Sequence, residues 1–88
     1  MIGFKMYPAV IHAKAKENYC LEVRFSNGES GVLDMRPYMD FGIFKKIADP
    51  SKFCKIHVAF DTIEWDEGID LDPEFIYQNS KILTEKVS

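Results

Sequence analysis

Tyr19-Cys20-Leu21-Glu22-Val23-Arg24-Phe25-Ser26-Asn27-Gly28 is the stretch that decides the fold of this chain. Tyr19, Leu21, Val23 and Phe25 recur at every second position, with Cys20, Glu22 and Arg24 between them, which is the period of a strand with one buried face. Asn27-Gly28 then supplies two residues that accept positive φ, the strongest short signal for a hairpin. A strand is therefore expected on each side. Upstream, Ala9, Ile11, Ala13 and Ala15 alternate with Val10, His12, Lys14 and Lys16, and Glu17-Asn18 makes a two-residue turn. Downstream, a third strand runs from Glu29 to Met35 and ends at Arg36-Pro37, because proline lacks the ladder donor. Together the three strands form an antiparallel meander.

Beyond the meander, Phe44, Ile47 and Ala48, with Ile43 beside them, suit a short amphipathic helix between Phe41 and Ala48. Asp49-Pro50 restarts the chain, Asp as N-cap and Pro at the first helical position, for a single turn to Phe53. Cys54, Ile56, Val58 and Phe60 alternate with Lys55, His57 and Ala59 as a fourth strand, which places Cys54 in the core. Asp61-Thr62 turns into a short fifth strand, Ile63-Glu64-Trp65, broken by Glu67-Gly68. Asp72-Pro73-Glu74 repeats the helix start, and a helix is expected from Phe75 to Leu83. The fold class is α+β. It is a small antiparallel sheet of about five strands, a three-stranded N-terminal meander plus a C-terminal β-hairpin, with one or two short helices. One domain is expected over residues 1–88, ordered from about 7 to 83, with 1–6 and 84–88 flexible.

Composition narrows the function. At 47% apolar residues, with seven Phe and four Tyr, the chain fills a core. At 88 residues it buries only roughly 60–65% of its unfolded surface. A partner or a second copy would therefore add useful stability. The formal charge of −3 argues against direct nucleic-acid binding, which relies on clustered Lys and Arg. Two cysteines make no disulfide framework, no secretion signal is recognised, and no run approaches the ~18 apolar residues that span a bilayer. A cytoplasmic location is expected.

Between Asp61 and Glu74 lie seven of the fourteen acidic residues, no Lys or Arg, and the only Trp. Asp70, Asp72 and Glu74 resemble the start of a calcium loop, but the required Gly and Glu fall on Phe75 and Lys81, so no metal site is expected. Glu64 lies on the strand face opposite Ile63 and Trp65, in water, and is a poor candidate for a carboxyl with a raised pKa. His12 and His57 read as surface histidines, Cys20 as the better candidate for a reactive thiol. No nucleophile-plus-base spacing or glycine-rich phosphate loop names a reaction, and no catalytic residue or cofactor is expected. With Asp72 capping, Glu74 at the helix start and Glu64 on a solvent face, the unexplained acids are Asp66, Glu67 and Asp70. They are predicted to dock a partner, with Trp65 or Tyr77 as the apolar anchor if exposed.

Phe25-Ser-Asn-Gly28, Val32-Leu-Asp-Met35, Phe44, Asp49-Pro-Ser-Lys-Phe53, Ile63-Glu-Trp65, Gly68 and Ile69-Asp-Leu-Asp-Pro-Glu74, in this order, resemble the mostly bacterial family known as domain of unknown function 2442. The resemblance covers about residues 7–78. It implies a compact α+β domain with no established activity. In some relatives a similar domain precedes a helix-turn-helix, an extension expected to be missing here. Relatives often look like one half of a two-gene pair, which suggests toxin–antitoxin logic. The expected function is thus a non-enzymatic protein-interaction domain. Its partner is a small protein with a basic patch, or a second copy. The alternatives are a nucleic-acid-linked regulator acting with a partner, or a small-ligand-binding protein.

Overall fold

Leu21, Val23 and Phe25 each retain 3% exposure or less, while Glu22 and Arg24 stand in water. This alternation anchors the structure, a computed structural model that describes residues 7–83. The expected flexible ends, 1–6 and 84–88, lie outside the described residues. Strand β2 (Cys20–Phe25) is flanked by β1 (Val10–Lys16) and β3 (Ser30–Asp34), both antiparallel to it. The β2–β3 turn follows the Asn-Gly signal. Gly28 takes φ +91, and Asn27 both receives the Glu29 N–H on its side-chain oxygen and donates its amide to the Glu29 carboxylate. Arg36-Pro37 ends the third strand in a short 3-10 turn, as expected. The predicted meander is present.

β1 departs from simple alternation. Val10 pairs with Phe25 but His12 with Arg24, so Ile11 is an extra residue in the ladder, a β-bulge. The bulge reverses the phase expected upstream: Val10 is buried at 2%, and Ile11 is 56% exposed. Its cause is long-range, since the Val10 N–H donates to the Asp61 carbonyl at 3.0 Å. At the other end, the turn into β2 takes three residues rather than two. Glu17–Tyr19 form a 3-10 turn with Asn18 and Tyr19 at positive φ. Tyr19 is therefore a turn residue, its hydroxyl donating to the Ala48 carbonyl and its ring edge-on to Phe53.

The expected helix over 41–48 is a run of 3-10 turns at Gly42–Ile47, opened by Gly42 at φ +52; only Ile47 of this run is fully buried. Asp49 then caps helix α1 (Pro50–Phe53) by accepting the Ser51 N–H at 3.0 Å. Cys54 ends that helix and is exposed, not a core residue, because β4 (Ile56–Ala59) starts only two residues later. The turn into β5 (Thr62–Trp65) comes one residue earlier than expected. Phe60 and Asp61 both take positive φ, at +53 and +67, and form it. Thr62 is consequently a buried strand residue, and Phe60 leaves the expected core row for solvent at 93% exposure.

Helix α2 (Pro73–Asn79) has the predicted cap, with Asp72 accepting the Glu74 N–H at 2.9 Å. It stops four residues before Leu83. The Ser80 hydroxyl takes the Ile76 carbonyl and the Asn79 amide takes that of Phe75, so side chains satisfy helix-end acceptors and release the chain. Residues Lys81–Leu83 become strand β6, antiparallel to β3. Close approach there depends on Gly31, where a Cβ would lie 3.1 Å from Ser80 Cβ and 3.2 Å from the Lys81 carbonyl. The fold is α+β, but among the described residues its strands number six and divide into a four-stranded sheet, β1-β2-β3-β6, and a two-stranded one, β4-β5. Among the described residues no helix is long and apolar enough to cross a membrane.

Trp65 ties the layers together. It is fully buried, its indole N–H donates to the Phe53 carbonyl at 2.8 Å, and its ring lies 5.7 Å from that of Phe53. A second tie joins α2 to the β2–β3 turn. Tyr77 packs edge-on against Phe25 and donates its hydroxyl to Glu29 at 2.6 Å. The Tyr77 phenol, and after it the Asn27 amide, hold the Glu29 carboxyl below the usual carboxylate range; Glu29 in turn raises the Tyr77 phenol.

Trp65→Phe leaves the Phe53 carbonyl without its donor and is expected to destabilise the fold by about 1–3 kcal/mol, read by urea denaturation. Tyr77→Phe removes the main cause of the Glu29 shift. A carboxyl that is a stronger acid when folded stabilises fully above its unfolded pKa, about 4, and loses that contribution as pH falls through the folded value. The melting-temperature gap between wild type and Tyr77→Phe is thus expected at neutral pH and should close below about pH 4.

Candidate functional site

The acidic segment acquires its geometry from Gly68. At φ +87 this residue lets the chain reverse after β5, and the Trp65 N–H donates to the Ile69 carbonyl while the Leu71 N–H donates to that of Ile63. Residues 69–71 therefore run back along β5, with Glu64 opposite Asp70. His57 is the cross-strand partner of Glu64 on the other side. Directly opposed residues share a face. His57, Glu64 and Asp70 thus form one outward row across β4, β5 and the returning segment. Ile63, Trp65, Ile69 and Leu71 alternate with them and are buried at 5% exposure or less.

The His57 ring sits between two carboxylates, Nε2 at 3.3 Å from Glu64 and Nδ1 at 3.4 Å from Asp66. Glu67 stands 3.9 Å from Lys52 at the end of α1. Like charges directly opposite each other oppose sheet pairing, so the Glu64–Asp70 pair is a local cost that the buried row beneath it outweighs. At the hairpin tip Phe60 projects a whole aromatic ring into solvent. Ile11 is exposed as well, and its chain neighbour Val10 is bonded to Asp61, the chain neighbour of Phe60.

Of the residues singled out from the sequence, Asp66 and Asp70 come together, joined by Glu64 and His57. Glu67 is adjacent but shared with Lys52. Trp65 lies underneath, fully buried, so the condition for its use as a surface anchor is not met. Tyr77 is half-buried and occupied by Glu29 and Phe25. Asp72 caps α2 and Glu74 accepts from Gln78, as their positions in the first turn imply. The residue the sequence reading missed is Phe60, which its strand periodicity had assigned to the core. The return of Asp70 to Glu64 was missed as well; its signal is the alternation of Ile69 and Leu71 with Asp70 and Asp72 directly after a glycine.

Chemically, this is a surface of four carboxylates, Glu64, Asp66, Glu67 and Asp70, with the His57 imidazole between two of them and Lys52 at its edge. Among the described residues no group of three or more His, Cys, Asp or Glu is placed to hold a metal ion. The two free thiols are directed at backbone carbonyls, Cys20 at Asn18 and Cys54 at Ser51.

The family described as "Protein of unknown function (DUF2442)" matches residues 10–81, from the first residue of β1 to the first of β6. No curated protein and no solved structure matches the chain. The matched span holds the meander, both Asp-Pro caps, the hairpin and the acidic return, and the chain belongs to this family of proteins of unknown function.

Proposed function

We propose that this is a non-enzymatic protein-interaction domain, one member of a two-protein pair of toxin–antitoxin type in a bacterial cytoplasm. It docks a basic patch of a small partner against the acidic face of β4, β5 and the returning segment. Phe60 carries this reading. A bulky aromatic at φ +53, 93% exposed, is unfavourable both for the backbone and for the ring. Both penalties are offset if a partner covers it, and buried aromatic anchors dominate the energetics of interfaces. The carboxylates of Glu64, Asp66, Glu67 and Asp70 would steer and orient the encounter.

Two free cysteines, one exposed and neither in a disulfide, fit a reducing compartment. The same face serves a nucleic-acid-linked regulator whose partner supplies the basic surface, since the net charge of −3 opposes direct contact with phosphates.

The test uses the product of the neighbouring gene as the partner and follows binding by calorimetry and stopped flow. Phe60→Asn, which suits positive φ, is expected to raise stability by about 0.5–1 kcal/mol while weakening binding about tenfold or more. Asp66→Asn, Glu67→Gln and Asp70→Asn together should slow association and flatten its salt dependence. Affinity unchanged in both variants, or no binding by the wild type, sinks the reading.

A further inference from the structure

The outer face of the four-stranded sheet carries charge of the opposite sign. Its register sets His12, Arg24, Ser30 and Leu83 in one row across β1, β2, β3 and β6, and Lys14, Glu22, Val32 and Lys81 in the next. The carboxylates of this face are already engaged. Glu22 receives Lys16 at 3.7 Å, and Asp34 holds Arg36 through hydrogen bonds of 2.8, 3.0 and 3.2 Å. These bonds hold the Asp34 carboxyl below the usual range. Among the described residues, His12, Lys14, Arg24 and Lys81 have no hydrogen-bonded or ion-paired side-chain partner. A groove of about 560 Å³ follows the first row, lined by His12, Arg24, Ser30 and Leu83 and, from the next row, by Glu22, whose carboxylate faces Lys16.

We infer that this face docks a carboxylate-rich extended segment of a protein partner. The Arg24 guanidinium, a planar fork to which none of the described carboxylates is bonded, clamps one side chain, with His12 and the Ser30 hydroxyl beside it. Lys14 and Lys81 lie three strand spacings apart, about 14 Å, roughly the span of four extended residues. Acidic side chains at alternate positions of such a segment can meet both. Leu83 supplies an apolar wall at the end of the groove.

A nucleic-acid strand fits less well. These rows contain no Phe, Tyr or Trp on which bases could stack, and the chain's net charge is −3. A second copy presenting its own acidic return would make a heterologous, head-to-tail contact, which builds rings or filaments rather than a two-fold dimer.

Isotope-labelled protein titrated with a capped poly-glutamate peptide of about six residues tests the inference, beside a thymidine oligonucleotide of equal charge. Saturable shifts are expected at His12, Arg24, Ser30 and Lys81, with affinity reduced about tenfold or more in Arg24→Gln/Lys81→Gln. Lys45→Gln/Lys46→Gln, on the Gly42–Ile47 turns, should leave it unchanged. Shifts confined to other surfaces overturn the inference, as does equal affinity in the Arg24/Lys81 variant. Tighter binding of the oligonucleotide, or salt-sensitive self-association abolished by the same variant, also overturns it.

Discussion

The hydrogen bond from the Trp65 indole to the Phe53 carbonyl, and the burial that goes with it, is what the rest of the molecule depends on. Two strands alone are marginal in water; they persist when one face is covered. Trp65 covers that face for β4 and β5, and its contact with Phe53 continues through Tyr19 to the turn that starts β2. One line of rings thus joins the small sheet, α1 and the large sheet. Because the inner row is so fully buried, the outer row can carry His57, Glu64 and Asp70, a set that would not hold a sheet together by itself. The acidic surface is a consequence of how well its underside is packed.

The hairpin tip shows the opposite balance. Gly28 at the β2–β3 turn accepts positive φ readily, whereas Phe60 adopts the same region against its preference. What holds it there is non-local: β4 and β5 fix the register on one side, and the Val10 N–H fixes the Asp61 carbonyl on the other. That same bond draws β1 into its bulge and turns Ile11 outward. Exposed Phe60 and exposed Ile11 are therefore two outcomes of a single constraint, not independent accidents of sequence.

This locates the boundary of what the sequence alone discloses. Features set within a few residues were legible: the period of β2, the Asn27-Gly28 turn, and both Asp-Pro caps, each made by the expected carboxylate. Features set by distant partners were not. Ile82 and Leu83 fit the helical pattern begun by Phe75 and Ile76, and only the bonds of Asn79 and Ser80 to helix carbonyls, with room beside Gly31, convert them into a strand. The strand pattern through Phe60 was sound until the turn arrived one residue early. Among the candidate residues, charge could be read from composition, but exposure could not. Phe60 leaves the core row that its periodicity suggested, whereas Trp65 is buried on the face opposite Glu64, as its alternation implied, and is not the surface anchor.

The net charge of −3 conceals a segregated distribution. Acids gather on the small sheet because Gly68 folds Asp70 back onto Glu64, while the large sheet keeps its own acids only where a local cation answers them, Lys16 at Glu22 and Arg36 at Asp34. Net charges of opposite sign are left on the two sheets. A mixed arrangement would neutralise them through short surface pairs, each contributing about 0–1 kcal/mol, so segregation sacrifices little stability. In return it creates two fields, each able to orient an encounter over roughly a Debye length, about 8 Å at physiological salt.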